Sequence, residues 1–192
     1  MVRYSIELAL GTLTLVAMGA ALALAIALTL PGGRTWLSTT LGGNERHVIG
    51  WAWVVSLIAM IGSLYFSDVR GLPPCLLCWY QRIAMYPLVL VLGVGLFRAD
   101  SQVWRFALPL PIVGAAISVY HVALQYQPSL QVVECTTGVP CTARLLVVYG
   151  FVSIPVMASA AFLLITTLLL TMRVTRAGSA AGSEAGGGLP IE

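Results

Sequence analysis

The sequence predicts an all-α membrane protein that crosses the bilayer five times. The prediction rests on composition: 59% of the 192 residues are hydrophobic, only 9% are charged, and the mean hydropathy is +0.93. A soluble domain carries about a quarter charged residues and just under half apolar ones. Disordered chains, collagens and nearly all ordinary cytosolic enzymes are therefore excluded. The net charge of +3 comes from ten basic residues spread thinly along the chain, which excludes the usual kind of nucleic-acid binder. All ten are arginine, so lysine Schiff-base chemistry and the lysine of a phosphate-binding loop are excluded too.

A transmembrane helix needs about 20 mostly apolar residues. Five stretches qualify: residues 6–30, 49–66, 79–97, 106–126 and 150–172. Backbone at that depth must satisfy its own hydrogen bonds, so these read as helices, and no alternating strand pattern competes. The first is broken only by Glu7 and a few small polar residues. It exceeds the apolar region of about 7–15 residues in a signal peptide, and the Leu30-Pro31-Gly32-Gly33 that follows offers no small-x-small cleavage site. It is expected to be an extra anchoring helix. Arg34 and Arg46 fall in the first loop, Arg98 and Arg105 in the third, and Arg173 and Arg176 after the last span. The opposite side holds Arg3, Arg70 and Arg144. Six against three assigns the first group to the cytoplasm. The N-terminus and the loops 68–74 and 127–149 then face outward. The Gly-, Ala- and Ser-rich stretch 177–192 reads as disordered.

All four cysteines fall on the predicted outer side, where an oxidising compartment lets disulfides persist. Cys75 and Cys78 form a C-x-x-C directly after Pro73-Pro74, where the third span begins. With a helix starting near Pro74, both cysteines occupy its first turns and share a face. Free N–H groups and the positive helix end favour a thiolate there. Arg82 lies four residues beyond Cys78 on the same face. An intramembrane arginine costs about 2.5–3.5 kcal/mol and needs a partner or an aqueous cavity. Negative charge at Cys78, or on whatever that cysteine reduces, would serve. On the fourth span His121 and Gln125 are one turn apart, about 10 Å of helix rise below Pro128 for His121. If the third and fourth spans are neighbours, Cys78, Arg82, His121 and Gln125 surround one site just beneath the outer surface.

Plainer readings stand beside these. The C-x-x-C could be half of a zinc site, with Cys135 and Cys141 as the other ligands, or all four cysteines could form structural disulfides. Spacing alone leaves the Cys135/Cys141 pair open to a structural or an exchanging role. Arg82 could snorkel to the headgroups, and His121 could be a hydrogen-bonded interior histidine. His47 reads as solvated. The tryptophans lie near span ends, as aromatic belts do; Trp79, directly after Cys78, could also pack on a flat cofactor.

The run Cys75-Leu76-Leu77-Cys78-Trp79-Tyr80-Gln81-Arg82 resembles the C-x-x-C-x-x-x-R signature of the DsbB family of membrane disulfide bond formation proteins. Tyr120-His121-Val122-Ala123-Leu124-Gln125 resembles that family's third-helix motif. The C-x5-C of Cys135 and Cys141, followed by Gly150-Phe151-Val152-Ser153-Ile154-Pro155, is most similar to the BdbC branch. The resemblance covers residues 49–172. It implies a four-helix transmembrane bundle of DsbB type, here with one extra N-terminal helix and loop (1–48) and a cytoplasmic tail (173–192). It also implies a prokaryotic cytoplasmic membrane protein that reoxidises a thioredoxin-like thiol oxidase of the DsbA or BdbD kind. Two electrons would pass to a membrane quinone, ubiquinone or menaquinone, and the BdbC likeness favours menaquinone.

Carried over residue by residue, Cys135 forms the mixed disulfide with the partner and Cys141 is its companion. Cys75 and Cys78 are the quinone-proximal redox pair, with Cys78 donating to the ring. Arg82 stabilises the thiolate and the developing quinone anion, and His121, Gln125 and Trp79 border the quinone. No metal is implied. A partner near −120 mV can still be drained by a quinone of higher potential, since about 30 mV is 1.4 kcal/mol for two electrons. Two alternatives remain: a vitamin K epoxide reductase-like quinone reductase, whose C-x-x-C follows the loop pair, and a non-enzymatic scaffold with structural disulfides. Two features depart from the family pattern. The first span has no counterpart in the basic four-helix pattern, and the second cysteine pair is unusually close together, which bears on any Cys75–Cys141 bridge between the loops.

Overall fold

The computed structural model of the chain describes residues 2–41, 44–132 and 139–186. Among the described residues, five long helices carry the fold: α1 (Val2–Thr29), α3 (Glu45–Leu64), α4 (Leu76–Phe97), α6 (Pro109–Tyr126) and α7 (Ile154–Gly186), with the short α2 (Pro31–Leu41) and α5 (Trp104–Ala107) in the connections. Five segments among the described residues are long and apolar enough to span a membrane: Tyr4–Thr29, Glu45–Val69, Leu76–Phe97, Trp104–Tyr126 and Ile154–Thr175. The all-α membrane bundle expected from composition is the fold observed. Helices α3, α4, α6 and α7 close a four-helix ring in which α3 and α6 each touch both α4 and α7. Helix α1 stands outside the ring, chiefly against α7.

The core is built at helical spacing. Ile49 and Ala52 of α3, Leu88 and Leu92 of α4, and Phe162, Ile165 and Leu169 of α7 are all buried together. Lipid tails are as apolar as leucine, so helix association in a membrane relies on close packing at small residues. Gly114 of α6 is such a residue, since a Cβ there would run into the ring of Phe162.

The structure departs from the sequence-based expectations in three places. The first loop contains a further helix, α2 (Pro31–Leu41), packed on α1 and α7 with Leu37 wholly buried. Pro31 fits its first turn, where a missing N–H costs nothing. A hairpin of β1 (Val147–Val148) and β2 (Val152–Ser153) occupies the expected start of the last span, which begins at Ile154 instead. Its turn carries Tyr149 at φ 54° and Gly150 at φ 78°, a left-handed stretch that ends any helix approaching from Gly150. Finally, α7 runs on to Gly186, so the stretch expected to be disordered from residue 177 is helical that far. Its alanines are the strongest helix formers; the remainder of the tail lies outside the described residues.

Candidate active site

Pro73 and Pro74 precede α4 as extended chain, and Cys75 is its N-cap at φ −75° and ψ 172°. The helix thus begins at Leu76, two residues later than Pro74. The Cys75 sulfur takes the N-cap role by accepting the Cys78 N–H at 3.4 Å, as a hydroxyl or carboxylate does elsewhere. The same turn brings Cys78 Sγ to 2.8 Å from Cys75 Sγ, both as free thiols. Cys75 is buried, yet its pKa is lowered from 9.0 to about 4. The Cys78 thiol hydrogen bond is the main cause; burial opposes it, and His121 and the Cys78 amide add to it. These contacts favour a thiolate at Cys75.

His121 arrives from α6. Its Nε2 lies 3.0 Å from the Cys141 carbonyl oxygen and 3.7 Å from Cys75 Sγ. A carbonyl only accepts, so Nε2 carries a proton, and Nδ1 accepts from Gln81 Nε2 at 3.1 Å. One N–H therefore faces both the Cys75 thiolate and the backbone of the second cysteine loop. Cys75, Leu77, Leu124 and Cys141 form a small buried cluster around this contact. Cys141 is disulfide-bonded, so it has no thiolate to offer and the four-cysteine zinc reading fails. Cys135, its expected companion, lies outside the described residues. The two free sulfurs and a ring nitrogen of His121 fall within 4.8 Å of one another, a spacing here explained by the thiolate contacts.

Arg82 sits one turn below Cys78, but its hydrogen bonds run to α3. Nε donates to Ser63 Oγ at 2.9 Å and Nη2 to the Ser63 carbonyl at 3.0 Å. Ser63 thus supplies the hydrogen-bond acceptors of Arg82, because α3 and α4 are packed neighbours. Trp79 is half-exposed, with the Arg82 guanidinium 5.3 Å from its ring centroid, so it steadies Arg82. Gln125 is buried and committed to structure. Its Nε2 donates to the Ala143 carbonyl at 3.2 Å, and Ser153 Oγ donates to its Oε1 at 2.6 Å. It fastens the Cys141 loop and the hairpin to α6. Arg144 reinforces the tie by donating to the Gln125 carbonyl at 3.0 Å.

A cavity of about 530 Å³ opens beside the dithiol, bordered by Cys75, Cys78, Gln81, Arg82, His121 and Gln125 at one end. Below them the walls are apolar and come from α1, α3, α4 and α7. The hydroxyl of Tyr86, one turn beyond Arg82, is buried with no hydrogen-bond partner among the described residues, and Tyr86 lines the cavity. Sequence reasoning missed Gln81, Ser63, Ser153 and Tyr86. For Gln81 a signal existed, since an uncharged polar residue inside an apolar span is costly unless it has a partner.

A helical membrane bundle that holds an acidified thiol pair against a disulfide-bonded cysteine defines an integral-membrane thiol–disulfide oxidoreductase. The family model described as "Disulfide bond formation protein DsbB" matches residues 45–172. The chain belongs to the DsbB family of disulfide bond formation proteins. It is 47% identical over 123 residues to "Disulfide bond formation protein C" of Bacillus subtilis (strain 168), covering 64% of this chain and 89% of the relative. "Probable disulfide formation protein C 2" of Bacillus anthracis is 45% identical over 132 residues, 69% and 94% of the two chains. "Probable disulfide formation protein" of Metapseudomonas resinovorans is 36% identical over 145 residues, 74% and 94%. No solved structure matches the chain. Membership of this family sets aside the vitamin K epoxide reductase and scaffold alternatives.

Proposed function

We propose that this protein reoxidises an extracytoplasmic thioredoxin-fold thiol oxidase and passes the two electrons to a membrane quinone. The observation that carries this reading is the single His121 N–H facing both the Cys75 thiolate and the Cys141 backbone. It sets Cys75 of the C-x-x-C against the backbone of the second cysteine loop.

A partner thiolate attacks Cys135 Sγ in the Cys135–Cys141 disulfide, releasing Cys141 as thiolate. The partner's second thiolate attacks its own mixed-disulfide sulfur, releasing Cys135 and leaving the partner oxidised. Cys141 thiolate then attacks Cys75 Sγ of an oxidised Cys75–Cys78 pair, and Cys78 departs as thiolate. Cys135 closes on Cys141, and Cys75 leaves with both electrons now on the Cys75/Cys78 pair. A thiol of low pKa leaves readily, and the Cys78 thiol and His121 N–H supply that property to Cys75. The outcome is a Cys75/Cys78 dithiol beside a disulfide-bonded Cys141, the arrangement described above.

A bound quinone supplies a two-electron, two-proton acceptor. The cavity's residues fit such a group: its mouth carries Cys78 and Arg82, its walls are apolar, and the Tyr86 hydroxyl is a buried donor in need of an acceptor. Arg82 would hold negative charge there, with Trp79 acting through it. His121 and Gln125 would border the head group, and Cys78, less buried than Cys75, would be the sulfur facing it. The test uses purified protein, a reduced thioredoxin-fold oxidase and a soluble quinone, followed by quinone absorbance. Wild type consumes quinone. Cys78→Ser and Cys135→Ser each abolish consumption, and only Cys135→Ser also prevents the mixed disulfide. Normal consumption by Cys78→Ser would overturn the assignment.

A further inference from the structure

Helix α1 precedes the family-matched stretch, which starts at residue 45, yet it is built into the site. Its inward stripe runs at steps of four, three and seven residues, one or two helical turns each: Glu7, Gly11, Thr14 and Ala21 are buried. Three contacts fasten its outer end to the two cysteine-bearing loops. Glu7 forms an ion pair with Arg70 Nε at 2.7 Å, just before the C-x-x-C. Gly11 lets α1 approach the hairpin, since a Cβ there would lie 2.8 Å from Val148 Cγ1. Thr12 Oγ1 gives its proton to the Leu8 carbonyl, so Tyr149 Oη donates to it at 2.9 Å.

The cavity continues down this helix. Leu10, Thr14, Ala17 and Leu24 of α1 line it, facing α7 from Ile154 to Leu168, Phe66 in the turn that follows α3, and α3 from Ser63 to Trp51. Leu10 to Leu24 is fourteen positions, as is Ile154 to Leu168, or about 21 Å at 1.5 Å per residue. The space is therefore a trough much longer than an aromatic head group. Its charged group and thiols sit at the dithiol end, and the far end is aliphatic.

We propose that α1 is the wall that holds the isoprenoid side chain of the quinone, so that this helix sets chain-length selectivity and affinity. The proposal rests on the quinone reading above. A long flexible hydrocarbon is the ligand part that needs a trough of this length and gains from burial along it. The polar mouth needs only the ring. Helix α1 acts on binding and not on the thiol chemistry, because none of its residues touches a cysteine sulfur among the described contacts.

The test compares two probes on the purified full chain: a long-chain isoprenoid benzoquinone and the same ring without its chain. Binding is read by quenching of tryptophan fluorescence, since Trp51 lines the trough, and by the quinone KM in turnover. In Ala17→Phe the ring displaces about one five-carbon unit of the chain, which weakens long-chain binding about tenfold. The chain-free ring should bind within about twofold of wild type. If Ala17→Phe does not fold, Ala17→Leu reads the same split with a smaller intrusion. Unchanged long-chain binding, as expected if a phospholipid chain fills the trough, overturns the proposal, and so does an equal loss for both probes. Failure of the quinone reading looks different: wild type then binds and reduces neither probe.

Discussion

Cys75 does two jobs with one sulfur: it caps α4 and it carries the thiolate of the pair. Its folded-state pKa, about 4, lies below the ordinary 9.0. By linkage, the stability it adds is full above the unfolded value, about 9, and is lost as pH falls through about 4. Reduced wild type should therefore melt above reduced Cys75→Ser at neutral pH, with the gap closing as pH approaches 4. A gap constant across that range would contradict the assignment. Gln81→Leu leaves His121 Nδ1 without its donor. An unsatisfied buried group costs about 1–3 kcal/mol, so exchange between the cysteine pairs should slow by about five- to a hundredfold in a single-turnover measurement. At this scale the sequence was legible where chemistry imposes spacing. Cys75, Cys78 and Arg82 share one end of α4 because i, i+3 and i, i+4 geometry is local, whereas His121 reaches Cys75 only because α4 and α6 pack together. What the sequence could not reveal were the partners supplied by other elements. Ser63 reaches Arg82 from nineteen positions away, and Ser153 reaches Gln125 across twenty-eight.

Between elements, the α6–α7 contact at Gly114 is the tightest test of packing. Gly114→Ala inserts a methyl group into the Phe162 ring, and overpacking of this kind costs about 1–3 kcal/mol. Unfolding in mixed detergent should show that loss, and Phe162→Leu in the same chain should recover part of it. No change in either would mean that the helices are less closely packed than described. The spans themselves were legible from hydropathy alone, since bilayer thickness fixes their length. The hairpin and α2 were not. Each is short and amphipathic, and each exists because larger helices give it something to pack on. Gly150, seen in isolation, reads as the start of a helix; its positive φ depends on the Val147–Ser153 pairing.

For the whole molecule, the five spans among the described residues lead us to propose that the start of α1 and the end of α7 face opposite sides of the membrane. On the same proposal, the arginine distribution sets the start of α1 outside with both cysteine loops. Fusing a reporter active only in the cytoplasm should give signal at the C-terminus and none at the N-terminus, and the reverse would invert the topology. Glu7–Arg70 and Gly11–Val148 already gather the start of α1 and both loops at one end of the bundle, so these three segments must share a side. The central claim is that electrons enter at the Cys135/Cys141 pair and come to rest on Cys75 and Cys78. The most direct measurement starts from fully oxidised, quinone-stripped protein, adds one equivalent of reduced thioredoxin-fold partner, quenches with acid and maps the alkylated cysteines by mass spectrometry. Label is expected on Cys75 and Cys78 with Cys135 and Cys141 still bridged. Label confined to Cys135 and Cys141, with the C-x-x-C unreduced, would contradict it.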